Sequence, residues 1–405
     1  MNVDTMRNVD YYAGVPLSFL GTLIDKAYRY FKPRLPKKAK NVLFIELSEM
    51  GSAIIVDPAM RKLQENIDGE LHFVIFSKNK VSLQLLNTVK EENIFTIDES
   101  GLIPLAVSSL KFIWWCRQNN IDSVIDLELF SRFTALLAPL SGATNRVGFH
   151  AFHNEGLYRG DFLTHKVAYN PHQHIAKSFI ALVDALLSPK QELPFTKRVI
   201  GDEEIQIAKA TVSEDEKKAV LEIITKKYEG FDPASHPVIL VNSNASDLLP
   251  QRRWDKENYA QVIEKILAYN DKAIILLTGA PAEFEGAQSL RNRVNNPRCI
   301  NFAGGVKFLQ LPHLYSVSAF MLTNDSGPAH FASITDMHTF VIFGPETPAL
   351  YGSLGPSTPI FAGMACSPCV SAANHRKTPC SDNQCIQVIT PDWVFSTLKP
   401  ALDAL

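Results

Sequence analysis

Residues 321–344 read MLTNDSGPAHFASITDMHTFVIFG. The apolar run 319–322 reaches a polar turn, Thr323-Asn324-Asp325-Ser326-Gly327-Pro328. A short helical pattern follows, and a second apolar run, 339–343, stops at Gly344-Pro345. Strand, tight loop, helix and strand in so short a stretch is the grammar of a βαβ unit. The loop is a candidate anion site, because Ser326 and Gly327 leave backbone N–H groups at a helix start, where the dipole favours phosphate. Pro328 suits a first turn, since its missing N–H has no intrahelical partner there. His330 stands four residues after Ser326, on the same helical face. The plainer alternative is that Asp325 or Ser326 caps the helix and His330 is a hydrogen-bonded histidine near the surface.

The same alternation extends both ways. Ahead of the quoted unit come a strand at 238–241, a loop at 242–253 and a helix at 254–269. A strand at 273–277, a helix at 282–294, a short strand at 300–302 and a helix at 309–317 follow. The earlier half offers strands at 41–47, 71–76, 94–97, 123–127 and 146–149, with helices at 53–63, 108–118, 128–140 and 171–187. The pattern predicts an α/β chain with two doubly wound parallel sheets in series, although no repeat is visible residue by residue. The expected division is an N-terminal arm at 1–40, a first domain at 41–190, a linker with marginal helices at 191–236, a second domain at 237–390 and a C-terminal helix at 391–405.

At 405 residues the chain is long enough for two full cores. With 46% hydrophobic residues, 20% charged residues and net charge −2, composition predicts a soluble globular protein and gives no case for nucleic acid as partner. No apolar run reaches membrane-spanning length and none suits a secretory leader, so the cytoplasm is expected. The arm differs: residues 11–31 are aromatic and apolar, and 32–40 (KPRLPKKAK) are basic. Helical spacing puts Leu17, Leu20, Ile24, Ala27 and Tyr28 on one face, which suits an anionic membrane surface or, alternatively, the body of the protein.

Strand ends of one parallel sheet lie on one edge, so the loops at 242–253, 278–283 and 324–330 should converge. They bring Ser243, Asn244 and Ser246, the cations Arg252 and Arg253, Gly279 and Gly327, and the acid Glu283. That inventory suits a nucleotide diphosphate, with N–H groups and an arginine for phosphate and a carboxylate for ribose. Taken singly, Arg252-Arg253 also reads as a solvated pair and Glu283 as a first-turn acid.

D-S-G-P-A-H-x-A-S followed by F-G-P-E-T-P resembles the donor-site signature of the bacterial heptosyltransferases, glycosyltransferase family nine. The resemblance runs over roughly residues 41–390. It implies the GT-B architecture, two Rossmann-like domains facing across a cleft, and metal-independent inverting transfer with no cofactor. The implied donor is a nucleotide sugar such as ADP-heptose, and the implied acceptor is a lipid-linked saccharide of lipopolysaccharide type, met at the inner face of the cytoplasmic membrane. Donor contacts are implied for Asn244, Ser246, Arg252, Gly279, Glu283, Asp325, Ser326, Gly327 and His330. Arg253-Trp254 matches the family's basic residue and tryptophan. Arg132, after the I-D-L element at 125–127, is the implied acceptor-binding residue.

One position departs from the family. An aspartate expected after the glycine of the first loop, as general base, is here Ser52 in Glu49-Met50-Gly51-Ser52. Serine takes no proton near neutral pH unless another base activates it. Glu49 is the nearest candidate base, Asp57 reads as solvated or paired, and a catalytically impaired relative that binds nucleotide sugar or glycan without transfer is the alternative. The cluster Cys366, Cys369, Cys380 and Cys385 has spacing compatible with structural zinc, with His375 as a substitute ligand, or with reduced thiols. No catalytic metal is expected. A hydrolase built on Ser326 and His330 lacks a nucleophile elbow, and a nicotinamide enzyme lacks G-x-G-x-x-G after the first strand.

Overall fold

The computed structural model describes residues 3–32, 37–153, 156–246, 249–371, 374 and 376–405. The chain divides into two compact units, Met1–Gln206 with Ser371–Arg376, and Ile207–Val370 with Lys377–Leu405.

In the first unit the strands are β1 (Val42–Ile45), β2 (Leu71–Phe76), β3 (Ile94–Ile97), β4 (Ser123–Asp126), β5 (Asn145–Phe149) and β6 (His165–Val167). They form one parallel sheet in the order β3-β2-β1-β4-β5-β6. The second unit holds β7 (Val238–Asn242), β8 (Ile274–Leu277), β9 (Cys299–Asn301), β10 (Phe320–Asn324), β11 (His338–Phe343) and β12 (Ser357–Phe361). Its order is β12-β11-β10-β7-β8-β9, again parallel throughout. Counted from the opposite edge this is the same winding as the first sheet. Central strands such as VLFI and IILL are buried along their whole length, as sheets covered on both faces require.

Helices of the first unit are α1 (Val3–Tyr12), α2 (Gly14–Phe31), α3 (Met50–Ile55), α4 (Asp57–Asn66), α5 (Leu102–Gln118), α6 (Arg132–Leu140) and α7 (Ile175–Leu187). Those of the second include α8 (Glu214–Lys227), α9 (Lys256–Tyr269), α10 (Phe284–Val294), α11 (Leu311–Ser316) and α12 (Gly327–Ala332). The expected α/β class holds in both units. Several details differ. The helix expected at 53–63 is two, α3 and α4, because Pro58 has no N–H with which to continue the ladder. α5 begins at Leu102, ahead of the expected 108, with Pro104 in its first turn. The linker expected at 191–236, with marginal helices, holds α8 and a 3-10 turn at Asp202–Ile205. The strands β6 and β12 were not expected: both are edges, and β12 places Pro359 opposite Val341, which an edge tolerates.

The arm packs with the first unit through its small-residue face, so the apolar face is not the one turned to the body of the protein. Gly14, Ser18 and Thr22 of α2 are buried, whereas Leu17, Leu20 and Ile24 are exposed. Ion pairs fix it: Asp10 to Arg132 (3.1 Å), Asp25 to Arg146 (2.9 Å) and Lys26 to Asp161 (2.9 Å). Among the described residues no helix is long and apolar enough to cross a membrane.

Candidate functional site

In a doubly wound sheet the loops that leave adjacent central strands in opposite directions open a crevice at the carboxyl edge. Here those strands are β1 and β4 in one unit and β7 and β10 in the other. Most of the candidate residues fall there.

In the second unit two asparagines stitch three loops together. Asn242, at the end of β7, donates its amide to Thr278 O (3.3 Å) and Thr278 Oγ1 (3.4 Å). Asn324, fully buried at the end of β10, donates to Ser243 O (3.0 Å) and Asn244 O (3.3 Å) and accepts the Trp254 N–H (3.0 Å). The loops at 242–253, 278–283 and 324–330 therefore converge as the strand order requires. Arg252 lies between two acids, 3.4 Å from Glu346 and 3.8 Å from Asp325. Burial raises the Asp325 carboxyl despite the Arg252 charge. Burial and then the Asp325 charge push Glu346 well above the usual carboxylate range.

Ser326 precedes α12 in extended geometry, and its hydroxyl donates to Asn324 O (3.2 Å) without capping the helix. The N–H groups of Ser326 and Gly327 have no acceptor within the helix. Gly327 leaves little room for a side chain, since a Cβ there would sit 3.0 Å from the Phe331 ring. His330 is buried on α12. Asn244 is half-buried and Ser246 exposed, both on the loop that Asn324 ties down. Glu283 accepts the Ala280 N–H (2.6 Å), the first-turn role, with Gly279 against its carboxylate. Arg253 is turned to Ala245 O (3.0 Å), bracing the loop from within.

In the first unit the edge at β1 and β4 carries a cluster of acids. Glu128 accepts the Ser48 hydroxyl (2.9 Å) and the Leu47 N–H (3.4 Å). Burial, and then the charge of Glu128, push Glu46 well above the usual range. Asp126 is pushed up to about 6 by burial, against the pull of Arg159. Glu49 accepts the Ser52 hydroxyl (3.3 Å) and is paired with Arg376, whose guanidinium also lies 5.2 Å from the Phe130 ring centre. Arg132 is buried and committed to Asp10 and to Tyr158 O (2.9 Å). The arginine that reaches the strand edge is Arg159, which donates to Asp126, Ser131 O (2.8 Å) and Thr134 Oγ1 (3.0 Å). A cavity of about 520 Å³ opens beside it, lined by Asp126, His150, Tyr158, Arg159 and Tyr169 among others.

Glu346, Glu46, Glu128, Arg159 and Arg376 were not singled out from the sequence. Glu346 lay within the quoted F-G-P-E-T-P, and its apolar flanks were the available signal of a buried acid. Arg159 and Arg376 lie in irregular chain, where no periodicity marks them. Cys385 is buried, its thiol pushed up to about 11 by burial and by the neighbouring Cys369, Cys380 and Cys366. Cys369, Cys380 and Cys385 each approach a local oxygen, on Thr378 (3.5 Å), Asp382 (3.3 Å) and Asn383 (3.5 Å). Among the described residues no group of three or more His, Cys, Asp or Glu is arranged to hold a metal ion, and His375 lies outside them.

The family model of glycosyltransferase family 9 (heptosyltransferase) matches residues 110–378. The chain belongs to glycosyltransferase family 9. Lipopolysaccharide heptosyltransferase 2 of Salmonella typhimurium is 26% identical over 102 residues, 24% of this chain and 29% of that protein. Lipooligosaccharide heptosyltransferase 2 of Campylobacter jejuni is 24% identical over 159 residues, 36% of this chain and 46% of that protein. The aligned stretches thus span less than half of either curated relative. The structure of E. coli ADP-heptose lps heptosyltransferase II superposes with a TM-score of 0.67 at 18% identity, covering 90% of this chain and 99% of that one. That match and the two sheets agree with the GT-B class expected from the sequence.

Proposed function

We propose that the protein is an inverting glycosyltransferase, moving a sugar from a nucleotide diphosphate donor to a lipid-linked saccharide of lipopolysaccharide type. The proposed donor is ADP-heptose or a close relative, in keeping with the solved family member named above. The observation that carries this reading is the stitched edge of the second sheet, where Arg252, Asp325, Glu346 and the start of α12 meet. Arg252 and backbone N–H groups would face the diphosphate, and Glu283 on the neighbouring loop would face the nucleoside. In this reading Arg252 and the amides supply the positive charge and no metal or cofactor is needed, so chelator leaves turnover unchanged. The protein would act at the inner face of the cytoplasmic membrane, held there through residues 11–40.

The base for the acceptor hydroxyl would come from the first unit. Glu49 is the nearest candidate in the loop, but its charge is taken up by Arg376. That pairing, with Ser52 in place of an acid, favours a second reading: donor binding without transfer. Release of ADP from ADP-heptose in the presence of a lipid-linked saccharide distinguishes the two. Binding of the donor with no release for any such acceptor would overturn the enzyme reading.

A further inference from the structure

The apolar surface of the arm does not stand alone. α2 turns Leu17, Leu20, Leu23 and Ile24 outward, with Tyr28, Tyr30 and Phe31 toward its end, and Ile24 is 60% exposed. α5 carries a second such stripe: Ile103 (79% exposed), Val107, Leu110 and Trp114 (64%) recur at helical spacing on its outer side. Both helices belong to one face of the first sheet. Met6 of α1, Phe112 and Cys116 of α5, and Phe133 and Leu137 of α6 join a single core cluster, and α2 packs along α6. Paired apolar stripes of this length exceed the scattered exposure that a monomer surface normally carries.

Charge says what covers them. α5 contains Lys111 and Arg117 and no acid. The one acid of α2, Asp25, is turned in against Arg146 and Lys26 is held by Asp161, while Lys32 stays exposed just beyond the helix end. A two-fold contact between copies would set these cations against one another with no carboxylate on either stripe to meet them. Apolar side chains edged by Tyr, Trp and Lys match the boundary between headgroups and acyl chains.

We propose that the outer faces of α2 and α5 together form one docking surface for an anionic lipid bilayer. The proposal extends to α5 the membrane contact already assigned to the arm and rests on that reading. Because Asp10, Asp25 and Lys26 clamp the arm, the surface is a fixed face of the first unit and not a flexible tether. The loop that takes the clamp, through Tyr158 and Asp161, also lines the cavity beside Asp126, so docking brings the cavity close to the lipid.

Co-sedimentation of the full chain with phosphatidylcholine vesicles, with and without phosphatidylglycerol, tests this. Binding is expected with phosphatidylglycerol and should weaken as salt is raised. Ile103→Asp with Leu110→Asp, and separately Leu20→Asp with Ile24→Asp, should each lower partitioning on the order of tenfold or more. These positions are exposed, so the melting temperature should not change. Brominated lipid should quench Trp114, and Trp114→Phe should bind like wild type while losing that quenching. Wild-type binding by the α5 variant, with loss in the arm variant, would overturn the composite surface and leave the arm reading intact. A wild-type chain that binds no vesicle removes both. A dimer that either variant converts to monomer would assign the face to a second copy instead. ADP release, measured with a detergent-solubilised acceptor, reports on the transferase reading independently.

Discussion

Asn324 makes three hydrogen bonds from a fully buried position. Asn324→Ala would leave the Trp254 N–H and two loop carbonyls without this partner, at a cost of about 1–3 kcal/mol for a buried group left unmatched. The expected result is a lower melting temperature and weaker donor binding, both measurable by thermal shift with and without ADP. Asp126 gives a pH signature. Its folded value, about 6, lies above the ordinary carboxylate value, so the folded state holds the proton more tightly. The resulting stabilisation is complete below about pH 4 and is lost as pH rises through about 6. Asp126→Asn should flatten that part of the stability profile, and an unchanged slope would show that another group sets it. For Glu49, the replacement Glu49→Gln should lower ADP release by about a hundred- to ten-thousand-fold if it is the base. Wild-type turnover would exclude the role. At this scale the sequence was legible in position, since Asp325, Ser326 and Gly327 do lie between a strand end and a helix start. It was not legible in arginine pairing: Arg132 and Arg159 differ only in which acid each meets, Asp10 or Asp126, and long-range folding decides that.

The arm shows what periodicity can and cannot tell. The spacing of Leu17, Leu20 and Ile24 revealed a helix with one apolar face, but hydrophobicity alone assigned that face to no partner. Packing chose the small-residue face because Gly14 allows close approach: a Cβ there would stand 2.9 Å from the Arg132 Cβ. Gly14→Val should therefore loosen the arm. Amide exchange across 3–31 should quicken while the sheet's strands keep their protection, and unchanged exchange would mean that the ion pairs alone hold it. The central strands were readable because burial on both faces demands continuous apolar runs. The edges β6 and β12 were not, since β6 is short and β12 carries proline.

Two sheets wound in the same order, with no visible residue repeat, show that the pattern of strands and helices fixes topology more firmly than residue identity does. The winding puts each unit's polar cluster at the one place where diverging loops leave room, which is why the loop positions could be anticipated and their internal pairing could not. The segment Ser371–Arg376 interrupts this order, because it belongs to the first unit although all strands of the second precede it. Arg376→Ala should destabilise the first unit by about 1–3 kcal/mol, since half-buried Glu49 loses its charged hydrogen-bond partner. An unchanged melting temperature would show that neither the pair with Glu49 nor the packing on Phe130 contributes. The order of synthesis follows from the same segment. As the chain leaves the ribosome, the acids at β1 and β4 are made first, and the cation that neutralises Glu49 emerges only after the whole second sheet. The first unit therefore gains this pairing only after the strands of the second sheet have been made.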